Sequence, residues 1–270
     1  MQIATADCTL HVEVCGTGSR SIVFVHGLGG SAESWTGVWE PFAATRRAVR
    51  LDLRGCGRSQ RGTKPYTLEV LGEDVVAVLD HLGIGRCHLV GHSFGGVIVQ
   101  ELLTSHLDRV ESAVLVSTSS KVGQKARDAW LRLASAVEHN GVARAAQAQA
   151  NGFAPDFAAA HPETVDFHAQ ITKRCNPKVY AEQARAASSY DYTEALKAVR
   201  CPVLILQGLA DRLTPPGGSV ILSRAIPGAE LHMIEGVGHN AHIEMGDRFA
   251  ALLEDFFARA ERTSTAAGPG

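Results

Sequence analysis

The 270-residue chain lacks several features that would each point to a class of protein. It has no basic excess: 26 Lys and Arg stand against 28 Asp and Glu, the formal charge is −2 and the sequence pI is near 6.6. Nucleic-acid binding needs many cations to neutralise phosphates, so this balance excludes the usual nucleic-acid partner. No apolar run approaches the roughly 18 residues that cross a bilayer, so no membrane association is expected. Met1-Gln2-Ile3-Ala4-Thr5 shows no basic region leading into an apolar run, so no secretory signal is expected. The cysteines Cys8, Cys15, Cys56, Cys87, Cys175 and Cys201 include no C-x-x-C pair and no regular spacing, and several lie inside apolar runs. They read as small buried hydrophobes in a reducing compartment, not as metal ligands or a disulfide frame. These absences together predict a soluble, cytoplasmic protein.

What is present is an apolar share of 45%, in a chain long enough to bury roughly three quarters of its unfolded surface without metals or disulfides. One large domain with an insertion fits, and so do two compact domains. Short runs rich in Val, Ile and Leu predict strands at Leu10 to Val14, Ser21 to Val25, Ala48 to Leu53, Cys87 to Val90, Ala113 to Val116, Val203 to Leu206 and Glu230 to Ile234. These runs are continuous instead of alternating, which marks strands covered on both faces and hence a parallel α/β sheet. Leu68, Leu71, Val75, Val78, Leu79 and Leu82 recur at helical spacing and predict an amphipathic helix. Further helices are expected at Val97 to Ser105, Gly217 to Ala225 and Met245 to Ala260.

The alternation stops between Ser120 and Glu194, where alanine-rich, helix-favouring sequence predicts an inserted helical subdomain. The expected organisation is an α/β core over residues 1–119 and 195–262, a helical cap over 120–194, and a disordered tail over 263–270 of turn-like composition. Nine Phe, four Tyr and three Trp make sixteen aromatics, and seven of them (Trp130, Phe153, Phe157, Phe167, Tyr180, Tyr190, Tyr192) fall in the insert. Such groups line apolar pockets or form the insert's own small core.

Gly91-His92-Ser93-Phe94-Gly95-Gly96 follows one predicted strand and opens the next helix, which is the setting a G-x-S-x-G nucleophile turn requires. The turn is so sharp that the residues two before and two after the serine must be tiny. Ser93 is therefore the candidate nucleophile. A serine hydroxyl needs a base, and the base an orienting acid. Asp211 follows the strand Val203 to Leu206, and His239 follows Glu230 to Ile234 within Glu235-Gly236-Val237-Gly238-His239. His239 is the candidate base and Asp211 the candidate acid. The strand before the insert ends in Ser117-Thr118-Ser119-Ser120-Lys121, with no carboxylate to compete. His242 and Glu244 match no metal-ligand spacing and read as local hydrogen-bonding groups. His92, as the variable residue of the turn, is expected to point away from substrate. The oxyanion donors expected are the backbone N–H of Phe94 and, in the open loop His26-Gly27-Leu28-Gly29-Gly30, that of Leu28. Asp52-Leu53-Arg54-Gly55-Cys56-Gly57-Arg58-Ser59 completes no phosphate-binding motif and reads as a structural turn.

HGLGG, DLRGCGRS, GHSFGG and the pair Asp211 and His239 in EGVGHN together resemble the α/β-hydrolase superfamily over essentially the whole chain to about Ala260. The resemblance implies a mostly parallel eight-stranded sheet flanked by helices, with a helical cap inserted after the sixth strand. A serine at the elbow sets the chain apart from haloalkane dehalogenases and epoxide hydrolases, which carry aspartate there. The stretches Ser117 to Gly123, Asn176 to Tyr180 and Tyr190 to Tyr192 are similar to the cap of 3-oxoadipate enol-lactonases. The insert's charge is near balance, nine Lys and Arg against eight Asp and Glu, and does not decide whether the substrate is anionic. The reading implied is a cofactor-free, metal-free serine hydrolase of a small ester or lactone, with Phe94, Trp130, Phe153 and Phe157 lining a chamber over Ser93. Carbon–carbon bond hydrolysis of a ring-cleavage product, or a ligand receptor on the same scaffold, are the alternatives.

Overall fold

The computed structural model describes residues 1–266. Eight strands form its sheet: β1 (Gln2–Ala4), β2 (Thr9–Cys15), β3 (Ser21–Val25), β4 (Arg47–Leu51), β5 (Cys87–His92), β6 (Val110–Val116), β7 (Val203–Gly208) and β8 (Glu230–Ile234). Their spatial order is β1-β2-β4-β3-β5-β6-β7-β8. The pairs β1–β2 and β2–β4 are antiparallel, and every pair from β4 to β8 is parallel.

Successive strand residues point to opposite faces, and here both faces are buried. Val23, Val25, Leu89, Ala113, Leu115, Val203 and Ile205 enter one core. Ile22, Phe24, Val90, Val114, Val116, Leu204 and Leu206 enter the other. This two-sided burial is why the strand sequences run apolar without alternation. The first core is covered by α1 (Leu68–His81) and α2 (Phe94–Ser105), which contribute Leu71, Val75, Leu79, Ile98 and Leu102. The second is covered by the terminal helix, Asp247–Ala266, through Phe249, Leu253, Phe256 and Phe257. Each such side chain contributes about 1.5–3 kcal/mol by leaving water.

Between β6 and β7 lie five helices: α3 (Gln124–Asn140), α4 (Ala143–Ala150), α5 (Pro155–Ala160), α6 (Pro162–Lys173) and α7 (Pro177–Ala186). Proline opens three of them, where its fixed φ and missing N–H suit the first turn. The insert has its own core, built from Ala134, Val137, Val142, Ala145, Tyr180, Ala181 and Ala184. Small residues there let α3 and α7 pack closely. The chain then continues through α8 (Gly217–Ala225) and α9 (Ala241–Glu244) to the terminal helix, α10.

Three expectations change. The short edge strand β1 was not anticipated, because three residues with one buried side chain give no readable period. Helix α2 begins at Phe94 and not at Val97, since the two glycines that look like loop are its first turn. Helix α10 continues through Ala266, four residues into the segment expected to be disordered, and the rest of that expectation, residues 267–270, lies outside the described residues. No helix among the described residues is long and apolar enough to cross a membrane. Of the six cysteines, Cys8, Cys56 and Cys87 are buried, whereas Cys15, Cys175 and Cys201 are only half-buried; all six are free thiols.

Candidate active site

The loops leaving β3, β5, β7 and β8 meet at the carboxyl edge of the parallel strands, where open α/β sheets bind ligands. Ser93 sits between β5 and α2 with φ 52° and ψ −115°, a conformation few residues other than glycine adopt. Its N–H donates to the Val116 carbonyl at 2.8 Å and its carbonyl accepts from Val97 at 3.2 Å, so the strained turn is pinned to the next strand and to its own helix. A Cβ at Gly91 would lie 2.5 Å from the Gly95 carbonyl oxygen, and one at Gly95 would lie 2.2 Å from that of Val25. That is the steric reason the turn needs both glycines.

Asp211 is buried and its carboxylate is fully engaged. Oδ2 accepts from His239 Nδ1 at 2.9 Å and from Gln207 Nε2 at 3.1 Å; Oδ1 accepts from the N–H groups of Leu213 and Thr214 at 2.8 and 2.9 Å. Burial pushes its pKa up, but the facing His239 and the two backbone donors outweigh that, and the carboxyl rests below its ordinary value. With Nδ1–H donated to Asp211, the other ring nitrogen of His239 carries the free lone pair. Ser93 and His239 both line a cavity of about 110 Å³ between the sheet edge and the insert.

The glycine loop after β3 is held open from two sides. His26 donates from Nδ1 to the Gly27 carbonyl at 2.8 Å and accepts at Nε2 from the Leu53 N–H at 3.1 Å. Gly30 N–H donates back to the Gly27 carbonyl, and Gly29 N–H to Gln183 Oε1 at 3.3 Å. Among the described residues the Leu28 N–H meets no acceptor, and the Phe94 N–H, at the first position of α2, has no partner within its helix. Asp52 secures the neighbouring turn: Oδ1 accepts from Ala32 N–H at 2.6 Å and Oδ2 from Arg58 N–H at 2.8 Å. Arg54 makes a buried bidentate pair with Asp74, at 2.6 and 2.8 Å. This segment is the structural turn its sequence indicated.

The pocket residues divide. Trp130 lines the 110 Å³ cavity and also a second one of about 250 Å³, which Phe94 and Ser93 share. Phe153 and Phe157 line neither. They stack on each other with centroids 5.6 Å apart, and Phe153 packs edge-on against His168 at 5.7 Å, so they serve the interior of the insert instead of the chamber. His92 is also corrected. It faces the 110 Å³ cavity, donates from Nε2 to the His239 carbonyl at 3.0 Å, and lies 4.3 Å from the ring of His242. Burial, with the neighbouring His239, holds His92 well below the ordinary histidine pKa; burial, with His92 beside it, does the same for His242. Both are neutral structural groups behind the candidate base.

Sequence reasoning missed Gln183 and His168. Gln183 is buried on α7, where its Nε2 donates to Cys56 Sγ at 3.2 Å while its Oε1 takes the Gly29 N–H, so one side chain joins the insert to two core loops. His168, on α6, faces the cavity. Nothing in either one's local sequence marks it: Gln183 acts on loops more than a hundred positions away, and the direction of the His168 ring is set by how the insert packs over the sheet.

The sequence pattern of the alpha/beta hydrolase fold family matches residues 20–245. The chain belongs to that family. Over 265 residues it is 30% identical to a protein of Caulobacter sp. provisionally named a carbamate hydrolase, covering 96% of this chain and 98% of the relative. It is 27% identical over 259 residues to 3-oxoadipate enol-lactonase 2 of Acinetobacter baylyi, covering 95% and 96%. The crystal structure of the enol-lactonase from Burkholderia xenovorans superposes with a TM-score of 0.90 at 26% identity, over 96% of this chain and 100% of that one. This hydrolase thus matches, over about 95% of its length, proteins named for lactone and, provisionally, carbamate substrates.

Proposed function

We propose that this hydrolase cleaves a small carboxylic ester or lactone through a Ser93–His239–Asp211 triad and an acyl-enzyme, without cofactor or metal. The observation that carries the reading is the 2.9 Å hydrogen bond between His239 and Asp211 beside a cavity that Ser93 and His239 both line. In this reading His239 takes the Ser93 proton as the hydroxyl attacks the carbonyl, and returns it to the leaving oxygen. Asp211 fixes the tautomer and stabilises the imidazolium. The Leu28 and Phe94 N–H groups, free of other acceptors, receive the developing oxyanion, and each is worth about 10²- to 10³-fold in rate. Water then follows the same path in reverse to release the acid.

Residues 120–194 act as the cap that closes the chamber over the core formed by 1–119 and 195–262. The enol-lactonase relatives favour the lactone form of the substrate. A cytoplasmic location, with the six thiols reduced, belongs to the same reading.

The test is Ser93→Ala assayed with p-nitrophenyl acetate. Turnover falls by about 10⁶-fold and the acyl burst disappears, while circular dichroism and thermal unfolding show the fold retained. A burst of undiminished amplitude in the variant overturns the proposal.

A further inference from the structure

The 110 Å³ cavity is uncharged: among the described residues that line it there is no Asp, Glu, Lys or Arg. Its polar lining includes Gln149, Thr172, Asn240 and His168. A carboxylate entering such a space would lose its hydration without gaining a counter-ion, which is strongly unfavourable. The 250 Å³ cavity on the other side of Ser93 differs, since Lys121 and the hydroxyls of Ser119 and Tyr190 line it.

His168 is one of the unpaired polar groups on this wall, and it is supplied by the insert. It is 6% exposed and packed between two rings, Phe153 at 5.7 Å and Phe167 at 5.4 Å. Neither of its ring nitrogens has a hydrogen-bond partner among the described residues; on the same wall His92 is bonded through Nε2 and His239 through Nδ1, while His242 Nδ1 and Asn240 Nδ2 are also buried without a partner. Burial alone takes its pKa down to about 4, so at neutral pH the ring is uncharged, with one N–H donor and one acceptor nitrogen. Buried polar groups are almost always paired, so the partner of one that faces a cavity has to come from the cavity, as water or as ligand.

We infer that His168 is a specificity-determining residue that hydrogen-bonds a neutral oxygen function of the substrate, a ketone, amide carbonyl or hydroxyl, in a lobe that carries no charge. The inference rests on the hydrolase reading above and narrows its substrate class. The lobe is small: a cavity of roughly 150 Å³ holds the six carbons of benzene, and this one is about 110 Å³, so about four heavy atoms fill it. Any anionic end of the substrate lies on the Lys121 side.

Methyl isocaproate, methyl levulinate and monomethyl succinate place a methyl, a ketone and a carboxylate at one position of the acyl chain. Isoamyl acetate and its ketone isostere do the same for methyl and ketone on the alcohol side, covering either orientation. In one of the two series the wild-type kcat/KM for the ketone exceeds that for the apolar isostere by about tenfold or more, as one added hydrogen bond allows. His168→Leu erases that ratio and His168→Gln, which keeps a neutral donor and acceptor, retains part of it. The Ser93-dependent burst with p-nitrophenyl acetate reports the folded, active fraction of each variant. A ketone preference that survives His168→Leu, no preference in either series, or a preference for monomethyl succinate over methyl levulinate that His168→Leu abolishes overturns the inference while leaving the hydrolase reading standing. Loss of the wild-type burst itself overturns both.

Discussion

The backbone N–H of His239 donates to the carbonyl of Gly152 at 2.7 Å, so the candidate base is held by the insert as well as by the core. Glu244 completes the clamp. Its carboxylate accepts from Gly238 N–H at 2.8 Å, Ala154 N–H at 3.0 Å and Asn240 N–H at 3.1 Å, bracketing His239 in sequence and reaching the insert in space. Burial pushes its pKa above the usual carboxylate value despite the three donors.

Glu244→Ala leaves three backbone donors without an acceptor. At about 1–3 kcal/mol per unsatisfied buried group, partly relieved by water, the expected loss is about 3 kcal/mol in urea unfolding. The His239 loop also loosens, so kcat for an activated ester falls by about tenfold or more. A variant with wild-type kcat would show that the clamp does not position the base.

Ser93 holds a positive φ that glycine adopts without strain. Ser93→Gly removes about 1–3 kcal/mol of backbone strain and returns somewhat less than 1 kcal/mol through the freer unfolded chain. The variant is expected to be inactive and about 1 kcal/mol more stable by thermal unfolding. Equal or lower stability would place the strain elsewhere.

Trp130 stands between the two cavities that flank Ser93. Trp130→Ala joins them, so kcat/KM falls for acetate esters and the optimum shifts to longer acyl chains. An unshifted chain-length profile would contradict this partition.

His168 has a folded-state pKa of about 4 against 6.5 for an unperturbed histidine. The unfolded chain therefore binds more protons between these values, and stability rises with pH across that window. The contribution is complete above pH 6.5 and is lost as pH falls toward 4, reaching about 2 kcal/mol near pH 4.5. Urea unfolding at pH 7.5 and pH 4.5 should show a smaller acid loss in His168→Gln than in the wild type. Equal losses would show that the ring does not titrate this way.

Much of this was legible in the sequence because its physical causes are local. Val203 to Leu206 reads as a buried strand since both of its faces meet apolar cores, and the structure places it in β7. Gly91, Ser93 and Gly95 read as a sharp turn because a Cβ at either flank collides with backbone. The rest depends on directions that periodicity does not encode. By residue type Phe153 and Phe157 suit a pocket as well as Trp130 does, yet they stack on each other within the insert. As the variable residue of the elbow His92 reads as pointing away from the chamber, but the loop carrying His239 brings both histidines to the same wall.

Seven of the eight strands, the elbow and the order of Ser93, Asp211 and His239 can be read from the sequence alone, because strand burial, turn sterics and hydrogen-bonding chemistry act over a few residues. Only the tertiary structure decided what surrounds them: an uncharged cavity beside Ser93, Gln183 joining the insert to two loops, and an unpaired His168 facing the cavity. Those features come from helices that pack through alanine-rich faces more than thirty residues from the elbow. A near-zero net charge summed over 270 residues carries no record of where neutrality is enforced.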